Sequence, residues 1–168
     1  IKRSHFELDL EKKAVANNEL LFPGKVLADE KNQRLFISDT SHHRILVTDL
    51  DGKVTHVYGA KGQPGWVDGS ATEARFAWPQ GMSFGPGEAG QNQLYIADTE
   101  NHVIRLINLE THEVSTVAGV GKQQYQLQSR GPALQMGINS PWDVMYWQDK
   151  LYIAMAGQHQ IWTYEPDT

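Results

Sequence analysis

Apolar and polar positions recur along this chain in three similar stretches that begin at Leu21, Ala77 and Asn139. The first stretch contains the runs KVLAD, LFISD, RILVTD and VTHVYG, which are rich in Val, Ile and Leu and separated by polar residues. Short runs of this kind predict β-strands, and no window of about ten residues has the periodicity of a helix. The repeat therefore predicts four strands per copy.

Four antiparallel strands per repeat are the unit of a β-propeller blade. We therefore predict an all-β chain of three four-stranded antiparallel blades, in which Asp51-Gly52 forms a type I′ hairpin turn. The predicted divisions are an N-terminal segment, blade one with its following loop, blade two with its loop, and blade three without its outer strand: residues 1–19, 20–76, 77–138 and 139–168. The alternating stretch HFELDL at 5–10 is predicted to be a strand that completes a blade.

Propellers typically have four to eight blades, so three blades suggest half of a six-bladed ring. Two explanations stay open. The chain is a fragment of a longer ring, or two copies pair through a two-fold axis and each 5–10 strand completes the third blade of the other copy.

Composition excludes several classes of partner. The net charge is −5 and the 15 Lys and Arg are scattered, which argues against a nucleic-acid groove. No apolar run approaches the roughly 20 residues of a membrane span. Cysteine is absent, which excludes disulfides and thiolate metal sites within this sequence. The absence fits a reducing compartment, so we predict a cytoplasmic location, with an exported protein as the alternative.

The repeats PGKVLAD…RLFISDTSHHRILVTDLDG and PQGMSF…LYIADTENHVIRLI resemble those of the NHL-repeat family. In one branch of that family a thioredoxin-like domain precedes a six-bladed propeller, so the resemblance implies that this chain matches the first half of such a ring. The resemblance implies a binding platform, since most family members bind proteins and one branch binds RNA. A minority are enzymes, such as a zinc lyase acting on peptides, and distantly related propellers hydrolyse lactones. The chain departs from the family motif at His42, which stands where Asn is expected, at Met155, which replaces Asp, and at Gly157–Gln158.

The polar residues of the repeat motif are candidates for structural rather than chemical roles. They are Asp39, His43, Asp98, Asn101, His102 and His159. We expect the aspartates to accept backbone N–H groups and the histidines to bond neighbouring strands or blades. Because the histidines occupy equivalent places on separate blades, they should not converge on one ion. We therefore predict no metal, no cofactor and no catalytic residue.

The turns between second and third strands should share one end of the ring with the starts of the inner strands. Aromatic and Arg side chains concentrate binding energy, so this end is the candidate contact face for a protein or a small ligand. Its candidate residues are Lys25, Arg44, Trp66, Arg75, Gln80, Trp142 and Asp143. The alternative for the tryptophans is packing between blades. The alternative functions are a role beside a thioredoxin-like redox domain, and a metal-dependent hydrolase or lyase completed by further blades.

Overall fold

A computed structural model of the protein describes residues 20–86, 92–125 and 130–166. The strands are β1 (Lys25–Asp29), β2 (Arg34–Asp39), β3 (Arg44–Asp49), β4 (Val54–Gly59), β5 (Gly69–Ser70), β6 (Pro79–Phe84), β7 (Gln93–Asp98), β8 (Val103–Asn108), β9 (Glu113–Ala118), β10 (Pro141–Trp147), β11 (Lys150–Met155) and β12 (Gln160–Tyr164). The helical segments within these ranges are single 3-10 turns, such as Thr40–His42 and Thr99–Asn101. The prediction of an all-β chain is confirmed.

The strands form three antiparallel sheets. The first sheet has the order β1-β2-β3-β4, the second has the order β5-β9-β8-β7-β6, and the third has the order β10-β11-β12. The four strands predicted for the first copy are all present. The described part of the chain therefore holds sheets of four, five and three strands, rather than a uniform set of four-stranded blades. The predicted strand at 5–10 lies outside the described residues.

The period-two alternation of side chains places an apolar layer on each side of the second sheet. On one side, Phe36 and Ile45 of the first sheet pack against Met82 and Ile96 in one buried cluster. On the other side, the second cluster joins residues of the second and third sheets, including Tyr95, Ile104, Val144 and Ile153. The three sheets are therefore held together by two apolar interfaces, both of which bury residues of the second sheet.

The loop between β4 and β6 contributes the unpredicted strand β5. This two-residue strand pairs with β9, where Gly69 lies opposite Val114. It falls within the range assigned to blade one and its loop, yet it belongs to the second sheet. An added strand covers backbone N–H and C=O groups that an edge strand would otherwise expose.

The buried side chain of Arg105 holds this loop in place. Its guanidinium donates to Asp68 Oδ1 at 2.7 Å and to the carbonyl oxygens of Val67 and Arg75 at 2.6 and 2.8 Å. The same group lies 4.9 Å from the centre of the Phe76 ring. One buried cation therefore fixes both ends of the segment from 67 to 76.

The hairpin between β3 and β4 differs from the predicted type I′ turn. Only Gly52 in this turn has a left-handed backbone, with φ of 88°, whereas a type I′ turn requires positive φ at both central residues. The Asp49 side chain accepts the N–H groups of Asp51 and Lys53 instead. The turn is therefore stabilised by Asx-type hydrogen bonds to the Asp49 side chain and does not adopt the predicted type I′ geometry.

Among the described residues there is no helix with the length and hydrophobicity needed to cross a membrane.

Candidate binding face

The turn between β2 and β3 is a hydrogen-bonded junction. The buried Asp39 carboxylate accepts the backbone N–H of Leu21 at 2.8 Å and Arg44 Nε at 2.7 Å. The Thr40 hydroxyl donates to the Pro79 carbonyl at 2.7 Å, which reaches the start of β6 in the second sheet. The turn therefore ties its own inner strand to the next one.

His43 forms a second hydrogen bond between the first and second sheets. His43 ends the 3-10 turn in a left-handed conformation, and its Nδ1 accepts the backbone N–H of Trp78 at 3.2 Å. Burial lowers the pKa of His43, and the charge of His42 lowers it further. An acceptor at Nδ1 requires that nitrogen to be unprotonated, so the lowered pKa and the hydrogen bond favour the same state.

The second repeat reproduces the junction with different supporting groups. Asp98 accepts the N–H of Ala77 at 2.8 Å, Asn101 Nδ2 at 2.8 Å and Arg105 Nη1 at 3.0 Å. Complete burial is the largest influence on this carboxyl and raises the pKa of Asp98 to about 6, against the opposing effect of Arg105. A repeated bond also joins the second sheet to the third, since His102 Nδ1 accepts the N–H of Ser140 at 3.0 Å.

The third repeat keeps the turn without the carboxylate. Met155 occupies the position of the aspartate, and the 3-10 turn spans Ala156–Gln158. His159 again has a left-handed backbone, with φ of 55°. The backbone shape of the turn therefore does not depend on the buried acid.

The three motif histidines do not converge. Each follows a turn in a different sheet, and His43 and His102 already use Nδ1 to accept a backbone N–H from the following sheet. Across the described ranges there is no group of three or more His, Cys, Asp or Glu residues that could hold a metal ion.

The starts of the inner strands meet around an ion pair. Lys25 on β1 donates to Asp143 on β10 at 2.9 Å, although the two residues are 118 positions apart. The start of β6 lies between them and carries Gly81, where a Cβ atom would overlap with the Asp143 carboxylate. The bare backbone at Gly81 therefore allows the Lys25–Asp143 pair to form across the second sheet.

The predicted contact residues have different environments. Trp142 beside this ion pair is 53% exposed. Trp66 is partly exposed and donates its indole N–H to Thr116 at 2.8 Å. Gln80 lies against Gly24 at the same end of the inner strands.

Two predicted contact residues are committed to internal bonds. Arg44 is only 5% exposed and pairs with Asp39, so it is corrected from a contact residue to a buried one. Arg75 Nη1 donates to three successive carbonyl oxygens of its own loop, from Thr72 to Ala74. The exposed face therefore depends on the tryptophans and the Lys25–Asp143 pair.

Two exposed aromatic residues at this end were not among the predicted contacts. Phe22 is 76% exposed and Trp78 is partly exposed. Each precedes a proline and has positive φ, 48° and 55°, whereas the residue before a proline usually prefers an extended backbone. Their shared position immediately before Pro in consecutive repeats was the signal that could have identified them.

The three antiparallel sheets and their repeated Asp-Thr turns define a β-sheet repeat protein. No family model matches the chain. The chain is 42% identical over 96% of its length to NHL repeat-containing protein 2 of Gallus gallus, of which it spans 23%. The resemblance to the NHL-repeat family is thereby confirmed, and the chain spans about a quarter of the curated relatives' length.

Two solved structures share the architecture. A structural genomics protein of unknown function from Bacteroides thetaiotaomicron matches with a TM-score of 0.70 and 28% identity, covering 83% of this chain and 34% of that one. An auxiliary nutrient binding protein from the same organism matches with a TM-score of 0.68 and 26% identity, covering 84% of this chain and 37% of that one.

Proposed function

We propose that the chain is a non-enzymatic binding module that presents the end carrying its Asp-Thr turns to a protein or small ligand. The observation that carries this proposal is the exposure of Phe22, Trp78 and Trp142, each next to the start of an inner strand, together with the partly exposed Lys25–Asp143 pair. Large aromatic side chains on a surface supply much of the free energy of binding. The similarity to a solved protein described as nutrient binding supports the same class of function.

A selection of displayed random peptides against the immobilised chain tests this proposal. Peptides recovered by the wild-type chain should lose about tenfold or more in affinity for Trp142→Ala. The matched control is Trp147→Ala, because Trp147 is similarly exposed but lies at the other end of β10. Equal losses in both variants would contradict the proposed contact face, and failure to recover any peptide would exclude peptide binding and leave only a small ligand.

We also propose that the three sheets are half of a six-bladed ring and that two copies pair to complete it. The side of the first sheet that faces away from the second exposes Val26, and the corresponding side of the third sheet exposes Met145 and Ile161. Ile161 is 67% exposed on β12, which has no further strand paired at its outer edge among the described residues. Apolar groups on both outer sides favour burial against another copy.

Light scattering on the purified chain tests the pairing. We expect the mass of a dimer at micromolar concentration, and we expect Ile161→Arg to give a monomer because it places a charge in the apolar contact. The exposed variant Lys61→Ser should remain dimeric. A wild-type chain that stays monomeric would exclude this pairing.

For the whole protein, we propose a cytoplasmic location, because the absence of cysteine in this sequence fits a reducing compartment. From the family resemblance we also propose an adjoining thioredoxin-like domain. A Cys-x-x-Cys motif upstream of Ile1 in the full-length gene product would support a redox function for that domain. Metal analysis of the full-length protein tests the alternative of a hydrolase or lyase, since bound zinc or calcium would favour that alternative.

A further inference from the structure

Two stacked histidines join the first and second sheets at their outer strands. His56 lies on β4 and His112 lies in the turn between β8 and β9; their ring centroids are 4.5 Å apart and their planes differ by 19°. The Tyr58 hydroxyl, also from β4, lies 2.7 Å from His112 Nδ1. Titratable rings therefore contribute to the contact between these sheets.

The backbone of the β8–β9 turn carries His112 in an unfavourable conformation. Its φ is 61°, in the left-handed region, where the β3–β4 turn has Gly52. This conformation costs most residues about 1–2 kcal/mol, although His tolerates it better than β-branched residues do. The N–H of His112 donates to the Asn108 carbonyl at 2.8 Å. The β8–β9 turn therefore has a histidine at the position where the β3–β4 turn has a glycine, and the imidazole of this histidine contacts the first sheet.

Further charged groups surround this stack. A cavity of about 580 Å³ beside His56 is lined by Arg34 and Asp49 of the first sheet and by Glu110 of the β8–β9 turn. Partial burial lowers the pKa of His56, and the positive charges of His112 and Arg34 lower it further. Burial raises the pKa of Tyr58 to about 12, which keeps its hydroxyl neutral near physiological pH.

We propose that the His56–His112 stack is an acid-sensitive clasp between the first and second sheets. Two neutral imidazoles attract each other by stacking, and the Tyr58 hydroxyl fixes the orientation of one of them. Two imidazolium rings at the same separation repel each other, and the nearby Arg34 adds to that repulsion. The carboxylates of Asp49 and Glu110 line the cavity, and their negative charges reduce this repulsion. Acidification should therefore loosen β4 from the β8–β9 turn.

An NMR titration of the imidazole signals tests the interaction between the rings. Replacing His112 with Asn keeps a residue that adopts positive φ readily but removes the imidazole ring. The titration midpoint of His56 should move to higher pH in His112→Asn than in the wild-type chain, because a neighbouring positive charge is gone. An unchanged midpoint would overturn the proposal.

Hydrogen exchange tests whether the contact opens. Protection of peptides covering residues 54–59 and 108–113 should fall several-fold between about pH 7.5 and 5.5, after correction for the intrinsic exchange rate. His112→Asn and His56→Gln should each lose most of this pH dependence. The control His159→Asn, in the third sheet, should keep it. If all four chains respond alike, histidine protonation at this stack does not open the contact.

Discussion

Replacement of Arg105 by Met should destabilise the protein more than any exposed ion-pair substitution. The Arg105 side chain is fully buried and bonded to Asp98, Asp68 and two backbone carbonyl oxygens. Met fills a similar apolar volume but donates no hydrogen bond. It leaves the Asp98 carboxylate buried without its cation.

Removing one partner of a buried ion pair costs about 3–5 kcal/mol, because the remaining charge is left uncompensated. We therefore expect the free energy of unfolding, measured by urea denaturation near neutral pH, to fall by about this amount. Asp98→Asn in the same chain removes the stranded charge. The double variant should consequently lose less stability than the two single variants added together.

The exposed pair between Lys150 and Glu165 provides the matched control. Its atoms are 2.7 Å apart but both side chains are largely exposed, so Lys150→Met should cost far less than Arg105→Met. In Arg105→Met, hydrogen exchange should also accelerate in the segment from 67 to 76. A cost for Arg105→Met as small as that of the control would refute the assignment of this side chain as the anchor of the loop.

Three further predictions concern the repeated junction. His102→Asn keeps a side-chain acceptor but removes a titrating group. The pKa of His102 is lowered in the folded protein, so wild-type stability should fall as the pH decreases below about 6.5. The urea midpoint should therefore depend less on pH in the variant, and the same pH dependence in both proteins would contradict this. Gly119 and Gly62 both have positive φ, but only at Gly119 does a Cβ meet backbone, at 2.5 Å. Gly119→Ala should therefore cost clearly more than the roughly 1–2 kcal/mol of Gly62→Ala in thermal unfolding, and similar costs would count against the close contact. Thr99→Val removes a buried bond of 2.6 Å to a prolyl carbonyl and should lower the unfolding free energy by about 1–3 kcal/mol; a neutral result would show that the bond contributes little.

The local sequence pattern was sufficient to predict the positions of β1 to β4, but not strand β5 at the edge of the second sheet. Strands of four to six residues follow from short β-branched runs between polar turns, and β1 to β4 lie where those runs are. Strand β5 has only Gly69 and Ser70, neither of which favours a strand. The loop that carries it is bonded by Arg105, which is 30 or more positions away from the carbonyl groups that it binds.

The sequence predicted where the candidate face lies, but not which of its side chains are exposed. Repeat position alone indicated that Lys25, Trp142 and Asp143 lie at one end of the inner strands. Burial of Arg44 could not be read from the same pattern, because its cost is offset by Asp39, a partner brought close by the turn. The hydrogen bonds of Arg75 likewise depend on the path of an irregular loop.

The sequence by itself determined the repeat, the strand periodicity and the family, because each is encoded in residues that are close together along the chain. Tertiary structure decided which polar groups meet. Lys25 reaches Asp143 only because three sheets pack side by side and Gly81 leaves space between them. His56 meets His112 for the same reason, since the outer strands of two sheets pack together and one turn adopts a left-handed backbone.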